Sequence, residues 1–166
     1  MELYFLRHGL AGRHGDPKYK DDSLRPLTAQ GREKMRRGAR GMQALGLKFD
    51  ALLSSPYLRA RQTAEIVAQT YKIKKLHLTD NLLPPASIGK LLKEAHAICP
   101  KSGSILLVGH EPHLTEMISA VLKCSKALAI DFKKGGLCSL TVTPSGAVFN
   151  WLLTPAQLGL MVKEKR

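Results

Sequence analysis

Residues 104–112 run Ser104-Ile105-Leu106-Leu107-Val108-Gly109-His110-Glu111-Pro112, and this stretch indicates the class of fold. After Ser104 the run is uninterrupted and apolar, and Gly109 and Pro112 bring it to an end. A short strand that is apolar on both faces is typical of parallel sheets, because helices cover both sides of such sheets. The stretch therefore predicts a buried strand inside an α/β protein.

The rest of the chain alternates predicted strands with predicted helices. Further strands are expected over residues 2–6, 49–54, 76–79, 138–142 and 147–152. Helices are expected from an N-cap at Thr28 to about Leu45, from an N-cap at Ser55 to Tyr71, over residues 87–98, from Pro112 to Leu122, and after Pro155. Residues 9–26 carry no apolar period and are expected to form a long functional loop. This order predicts a mainly parallel α/β sheet with one antiparallel hairpin near its end.

Composition and charge limit the classes of protein. The chain has 166 residues, 44% of them hydrophobic and 23% charged, which predicts one folded domain over residues 1–166 and excludes disordered and collagen-like chains. Lysine and arginine together number 26 against 13 acidic residues, a net charge of +13. Such a surface attracts phosphates, nucleic acid, acidic proteins or anionic lipid.

The sequence has few features that indicate the cellular compartment of the protein. No apolar run reaches the length of a membrane helix, and the segment before Arg7 is too short for a signal peptide, so a cytoplasmic location is expected. Cys99, Cys124 and Cys138 are an odd number without metal-ligand spacing, and buried free thiols are expected.

Three polar clusters follow three predicted strands. Arg7-His8 follows the first strand, Ser55 to Arg59 follows the second, and Gly109-His110 follows the strand at residues 104–108. If these strands are parallel, the clusters lie together at the carboxyl edge of the sheet, where α/β proteins bind ligands.

Histidines and arginines without a cysteine or an acid pair suit phosphoryl chemistry. An arginine fork matches phosphate oxygens bidentately, and a neutral imidazole is a competent nucleophile near neutral pH. The glycine-rich motifs of other phosphate sites, G-x-x-x-x-G-K-[ST] and a strand-linked G-x-G-x-x-G, are absent from the sequence.

The same residues resemble a known family. Leu6-Arg7-His8-Gly9 is similar to the RHG signature of the histidine phosphatase superfamily, also called phosphoglycerate mutase-like. Residues 54–64, with Arg59 among them, resemble its second motif, and Val108-Gly109-His110 resembles its third. Residues 25–28, the short chain, and the ending Asn150-Trp151 with Thr154-Pro155 are most similar to the bacterial SixA-type phosphohistidine phosphatases.

The resemblance implies a fold and a set of roles. The fold would be a three-layer α/β/α sandwich, and the enzyme would need neither a metal nor an organic cofactor. His8 would be the nucleophile that becomes phosphorylated, and water would then hydrolyse the phosphoenzyme. Phosphoryl oxygens would be bound by Arg7, Arg25, Arg59 and His110.

The general acid is where the chain departs from the family pattern. Many members supply a Glu or Asp from the segment between the second and third motifs, and the comparable stretch of this chain, residues 80–86, offers only Asp80 as a carboxylate. Glu111, directly after the second histidine, and Asp22, in the long loop, are the other candidate proton donors. Phosphohistidine can leave as neutral imidazole and needs an acid less than an alkyl ester does, so the site is expected to favour P–N bonds.

The expected partner is a protein carrying phosphohistidine, bound by a monomeric enzyme. One alternative is a phosphatase or mutase for small phosphate esters. Another is a basic module that binds phosphate or nucleic acid without catalysis, although no helix-turn-helix or RNA-recognition pattern is present. His110 and His113 also have helical spacing for zinc, but no third ligand is evident in the sequence, so no metal is expected.

Overall fold

The computed structural model describes residues 1–100 and 103–162, and it arranges them around one six-stranded sheet. The strands are β1 (Glu2–Arg7), β2 (Ala51–Ser54), β3 (His77–Leu78), β4 (Ser104–Gly109), β5 (Leu137–Thr143) and β6 (Gly146–Leu153). The helices are α1 (Ala29–Ala44), α2 (Leu58–Tyr71), α3 (Ile88–Ile98), α4 (His113–Val121) and α5 (Pro155–Leu160). All the predicted strands and helices are present in this set.

The sheet has a parallel part, formed by β3, β2, β4 and β1, and an antiparallel part that β5 and β6 add beside β1. Its strand order is β3-β2-β4-β1-β5-β6, and the pairs β3–β2, β2–β4 and β4–β1 are parallel. Strand β5 runs antiparallel to β1 and forms a hairpin with β6. Strand β4 lies between β1 and β2 with residues 105–109 buried, which confirms the parallel environment predicted from its apolar run.

Helices cover both faces of the sheet. Tyr4 and Leu6 of β1 pack on one side, in a core that includes residues of α1, α2 and α5. Leu3 and Phe5 point to the opposite side, in a core with residues of α3 and α4. This alternation follows from the two-residue period of a strand, and it gives the predicted three-layer α/β/α sandwich.

The register brings the predicted polar clusters to one edge. Arg7 pairs with Gly109, and Ser54 pairs with Val108, so β1, β2 and β4 end at the same level. Beyond these pairs, His8 N donates to Gly109 O at 3.0 Å, and Ser55 N donates to Val108 O at 3.0 Å. The clusters that follow the three strands therefore converge, as the sequence predicted.

The start of α2 differs from the prediction. The helix begins at Leu58 with Tyr57 at the N-cap, so the prediction that Ser55 is the N-cap and Pro56 the first helical residue is wrong. The reason is long-range, because the bond from Ser55 N to Val108 O keeps residue 55 against the sheet. The Ser55 hydroxyl instead accepts from Tyr57 N at 3.3 Å and contacts the side chain of His110.

The predicted loop at residues 9–26 is present, whereas the expectation for the cysteines is corrected in part. The loop at residues 9–26 contains a short 3-10 turn, Asp22–Leu24, whose first N–H groups are capped by Asp21, and Ala11 forms an isolated bridge with Leu27. Of the three cysteines, Cys138 is buried and Cys99 is partly buried, but Cys124 is exposed. The expectation of buried thiols is therefore wrong for Cys124, which lies in the turn after α4 and outside the core.

Within the described residues, none of the helices combines the length and the hydropathy needed to cross a bilayer.

Candidate active site

His8 lies at the end of β1 and is only 5% exposed. Its Nδ1 is 2.7 Å from the carbonyl oxygen of Gly9. A carbonyl can only accept, so this contact assigns the ring proton to Nδ1 and leaves the lone pair on Nε2. The hydrogen bond therefore leaves Nε2 unprotonated, which is the state that a nucleophilic nitrogen requires.

The surroundings of His8 keep its imidazole neutral. Burial lowers the pKa of His8 well below its usual value, and the nearby His110 and the positive charges of Arg59 and Arg7 lower it further. The bond to the Gly9 carbonyl opposes this shift without reversing it. An unprotonated imidazole at neutral pH is the form required for attack on phosphorus.

The loop after His8 is tied to the start of α2. Gly9 N donates to the hydroxyl of Thr63 at 3.1 Å, and that hydroxyl donates to the Arg59 carbonyl at 2.7 Å. A Cβ atom at Gly9 would lie 2.6 Å from Cγ of Met35, so the close approach of α1 requires glycine at this position. These contacts fix His8 relative to Arg59.

His110 faces His8 across the edge of the sheet. The two ring centroids are 5.1 Å apart, and His110 is 7% exposed. His110 Nε2 lies 2.8 Å from the Ser55 hydroxyl. Burial, followed by the charge of Arg59, lowers the pKa of His110 to about 3, so this ring is also neutral at pH 7.

Arg25 and Arg59 are buried side by side around one carboxylate. They are 7% and 6% exposed, respectively. Asp22 Oδ1 accepts from Arg25 Nε at 2.8 Å, and Asp22 Oδ2 lies 3.0 Å from Arg59 Nη2. Arg25 Nη1 also donates to Gly12 O at 2.7 Å, and Arg59 Nη1 donates to Asp22 O at 2.8 Å. The long loop thus positions both guanidinium groups.

Asp22 is held in its ionised form by these contacts. The hydrogen bond from Arg25 is the main cause that lowers the pKa of Asp22, and contributions from His14 and the arginine charges act in the same direction. A carboxylate in this state holds its arginines and has no proton to give at neutral pH.

Arg7 connects the site to a segment far along the chain. Its Nη1 donates to the carbonyl oxygen of Phe132, which is buried. Gly135 N donates to both Arg7 O and His8 O, at 3.0 and 3.1 Å. The segment 131–136 therefore packs directly against the residues at the end of β1.

Three buried polar atoms of this site have no hydrogen-bond partner among the described residues. They are Arg7 Nε, Arg59 Nε and His110 Nδ1. Buried donors in native proteins are almost always satisfied, so unpartnered ones indicate where a ligand binds. Their types, two guanidinium groups and one imidazole, suit the oxygens of a tetrahedral oxyanion such as phosphate.

Glu111 has a local structural partner. Its carboxylate accepts from Thr115 N at 3.0 Å and from the Thr115 hydroxyl at 2.7 Å, and so caps the first turn of α4. Its negative charge also partly opposes the effect of burial on the pKa of Arg7, which places Glu111 electrostatically within reach of the site.

The other two candidates are Asp80 and His113. Asp80 begins a 3-10 turn, Asp80–Leu82, after β3. His113 is buried, and its Nδ1 lies 3.5 Å from the carboxylate of Glu116. Over residues 1–100 and 103–162, no group of three or more His, Cys, Asp or Glu side chains is arranged to hold a metal ion.

Two features of the site were missed by the sequence reasoning. The Ser55 hydroxyl contacts His110, although the sequence assigned it to a helix cap. The segment 131–136 contributes a backbone partner for Arg7 and two lysines near it. Ser55 could have been found from its place in the second motif, but no local pattern marks the segment 131–136.

Comparison with known proteins agrees with this fold and cluster. The family described as the histidine phosphatase superfamily (branch 1) matches residues 3–83. An uncharacterized protein of Picosynechococcus sp. is 37% identical over 99% of this chain and 98% of its own length. The phosphohistidine phosphatase SixA of Escherichia coli K12 is 27% identical over 95% of this chain and 96% of its own length.

Among solved structures, the protein histidine phosphatase SixA complexed with tungstate superposes with a TM-score of 0.82. It is 26% identical, and the match covers 95% of this chain and 99% of that one. The fold and the RHG-type cluster define a phosphatase of the phosphoglycerate mutase-like α/β class. The chain belongs to the histidine phosphatase superfamily, and within that superfamily it is of the SixA type.

Proposed function

We propose that this phosphatase hydrolyses phosphohistidine on proteins, through a phosphoenzyme formed on His8. The observation that carries the proposal is the state of Asp22, which Arg25 and Arg59 hold ionised. Glu111 is engaged with Thr115, so neither of these two carboxylates is a free acid beside the leaving group. A site of this kind suits a substrate that supplies its own leaving-group proton.

The first step transfers the phosphoryl group between two imidazoles. Nε2 of His8 attacks phosphorus, and the P–N bond of the substrate breaks. The electron pair of that bond returns to the substrate ring, whose other nitrogen already carries a proton, and the histidine leaves as neutral imidazole. The leaving ring therefore needs no proton from the enzyme.

The second step returns the enzyme to its starting form. Water attacks phosphorus, the bond to His8 Nε2 breaks, and inorganic phosphate leaves. Through both steps Arg7, Arg25 and Arg59 would bind the equatorial oxygens, where charge accumulates, and His110 Nδ1 would donate to one of them. Neither step requires a metal ion, and EDTA is expected to leave the rates unchanged.

The net charge of +13 supports a macromolecular substrate. A strongly basic surface attracts an acidic phosphoprotein over distances of the order of a Debye length, about 8–10 Å at physiological salt. We expect kcat/KM for such a protein to fall with added salt, while kcat changes little.

A small-ester phosphatase is the second candidate, and one observation favours it. Glu111 directly follows His110, and its charge acts on Arg7. A carboxyl group in that place could protonate an alkoxide if it left Thr115 during the reaction.

The experiment that tests the proposal is a rapid quench with labelled substrate. Enzyme is mixed with a protein carrying ³²P-phosphohistidine, and we expect a base-stable, acid-labile phosphoenzyme that maps to His8. His8→Ala should lose the intermediate and almost all turnover. His96→Ala, an exposed histidine on α3, is the matched control and should keep both. Turnover that survives in His8→Ala, or hydrolysis of alkyl phosphates faster than phosphohistidine, would overturn the proposal.

A further inference from the structure

A second cavity opens beside the phosphoryl site and shares Arg7 with it. Its volume is about 410 Å³. Besides Arg7, it is lined by Leu10, Lys34, Asp131, Lys133, Lys134 and Pro155. Apolar and basic side chains thus surround a space next to the phosphoryl-binding residues.

The lysines are held in place by the segment that carries them. Gly135 N donates to the carbonyl oxygens of Arg7 and His8, and Phe132 O accepts from Arg7 Nη1. Gly135 has a φ of +82°, the left-handed region that favours glycine, and this turn follows Lys134 directly. The backbone on both sides of Lys133 and Lys134 is therefore anchored to the end of β1.

The cavity carries an excess of positive charge. Among the described residues, Asp131 is its only acidic lining residue, and its carboxylate forms an ion pair with Lys133. Lys34 and Lys134 contribute further cations next to Arg7. Burial, followed by the charges of Arg7, Arg25 and Arg59, lowers the pKa of Lys134, so this ammonium group lies within the field of the phosphoryl-binding arginines. Like charges repel at this range, and an anion bound among them would remove the repulsion.

We infer that this cavity is a second anion subsite, which binds a carboxylate from an Asp or Glu close to the phosphohistidine of the substrate protein. The inference rests on the proposed function, because it takes the two anions that share Arg7 to belong to one phosphohistidine-bearing substrate. Leu10 and Pro155 provide an apolar wall for the methylene groups of an acidic side chain. The subsite would select acidic sequence context without touching the reacting atoms.

The test uses peptide binding and does not depend on turnover. Two peptides carry the same non-hydrolysable phosphotriazole analogue of phosphohistidine, one flanked by glutamates and the other by glutamines. Their affinities are measured by fluorescence anisotropy at low salt. The wild-type protein should prefer the glutamate peptide by about three- to tenfold, the range of one or two partly exposed ion pairs.

The variant and its control remove equal charge at opposite ends of the sheet. The double variant Lys133→Gln/Lys134→Gln should lose the preference for the glutamate peptide. The control is Lys74→Gln/Lys75→Gln, because these exposed lysines line a cavity with Asp50 and Ala51 at the amino end of β2. The control should keep the preference, and circular dichroism should show that both doubles are folded.

Several results would overturn the subsite. In the wild type, these results are equal affinities for the two peptides, or failure of both peptides to bind. In Lys133→Gln/Lys134→Gln, the contrary result is that the preference for the glutamate peptide is retained. An equal loss of preference in the two double variants would indicate that the general positive field of the protein causes it. If the protein prefers O-phosphoserine to O-phosphoserine carboxamide but does not distinguish the two peptides, the carboxylate that it recognises belongs to a small molecule. That result also overturns the subsite. If the protein binds the glutamate peptide selectively but does not hydrolyse phosphohistidine, the subsite is kept and the proposed function is rejected. Failure of the subsite can therefore be distinguished from failure of the proposed function.

Discussion

The Ser55 hydroxyl lies 2.8 Å from His110 Nε2 and also accepts from the backbone N–H of Tyr57 at 3.3 Å. A hydroxyl that accepts from Tyr57 keeps its own hydrogen, which it can donate to Nε2. Neutral His110 has one ring proton, and when the hydroxyl donates to Nε2 that proton is on Nδ1, the buried nitrogen that has no partner among the described residues. We therefore expect Ser55 to be a positioning residue, which holds His110 in the tautomer that can donate from Nδ1 to a phosphoryl oxygen.

Replacing Ser55 with alanine should reduce catalysis through His110. Without the hydroxyl, the ring is free to adopt the other tautomer, which presents a lone pair to the phosphoryl oxygen. The loss of one oriented hydrogen bond predicts a decrease in kcat of about tenfold, with a smaller change in KM. Steady-state kinetics with p-nitrophenyl phosphate measure both constants.

Ser119→Ala is the matched control for that variant. Ser119 is also buried and makes two hydrogen bonds through its hydroxyl, to Thr115 O and from Leu128 N, but it lies on α4 away from the site. It should show a comparable loss in melting temperature and an unchanged kcat. If Ser55→Ala keeps a kcat within about twofold of the wild type, the tautomer argument is wrong.

Arg25→Lys should be nearly as harmful as Arg25→Ala. The guanidinium uses Nε for Asp22 and Nη1 for Gly12, and these two bonds orient its remaining face. Lysine offers one point charge and cannot make both contacts in that plane. A charge-assisted contact is worth about 1.5–3 kcal/mol, which predicts a loss in kcat/KM of about 10- to 150-fold.

The control for Arg25 is Arg36→Lys on the exposed face of α1. Arg36 Nη1 donates to the carboxylate of Glu33 at 3.4 Å, and its side chain is exposed on the solvent side of the helix. Its replacement should leave kcat/KM unchanged. A fully active Arg25→Lys enzyme would show that position 25 supplies positive charge without forked recognition.

His110 makes the folded protein sensitive to acid. Burial lowers the pKa of His110 to about 3 in the folded state, whereas an unfolded chain takes up the proton near the usual value of 6.5. Below pH 6.5 the unfolded state therefore binds more protons, and stability falls as the pH decreases toward the folded pKa. Each such histidine contributes a slope of about 1.4 kcal/mol per pH unit in that window.

The measurement compares denaturant unfolding of the wild type and His110→Gln between about pH 6 and pH 4. The variant should lose stability less steeply with acid, by about 1.4 kcal/mol per pH unit. Parallel slopes would show that His110 titrates at its ordinary pKa. In the same samples, NMR should find the His8 and His110 rings of the wild type still neutral at about pH 5.5, since burial lowers the pKa of both.

The predictable parts of the fold are those set by local composition. The apolar runs at residues 2–6 and 104–108 are strands in the structure, and Thr28 caps α1 by accepting from Gly31 N. Once β1, β2 and β4 are parallel, their carboxyl ends must meet, so the approximate position of the cluster follows from the strand assignment.

The rest could not be predicted because it depends on distant partners. Ser55 followed by Pro56 has the pattern of a helix start, yet the bond from Ser55 N to Val108 O delays the helix to Leu58. The segment 131–136 has no period or motif, and its place beside the site is set by bonds between Gly135 and the end of β1. Single-sequence patterns do not record such contacts.

The source of the leaving-group proton is tested with the variants Glu111→Gln, Asp22→Asn and Thr115→Ala on three leaving groups. Under the proposed function, the wild type should hydrolyse phosphohistidine faster than alkyl phosphates by several orders of magnitude, and aryl phosphates at rates between the two. Glu111→Gln should change phosphohistidine turnover little. Thr115→Ala is the control, since it removes the hydroxyl that holds Glu111 while keeping the carboxylate.

Asp22→Asn removes the charge between Arg25 and Arg59, so it should tighten inhibition by inorganic phosphate without a selective loss on alkyl esters. The competing mechanism makes Glu111 a full general acid. It predicts rapid turnover of alkyl phosphates in the wild type and a loss of about 10²-fold or more in Glu111→Gln, with no such loss in Thr115→Ala. That pattern would reject the P–N assignment and place this enzyme among the ester phosphatases, because only a leaving alkoxide requires a proton from the protein.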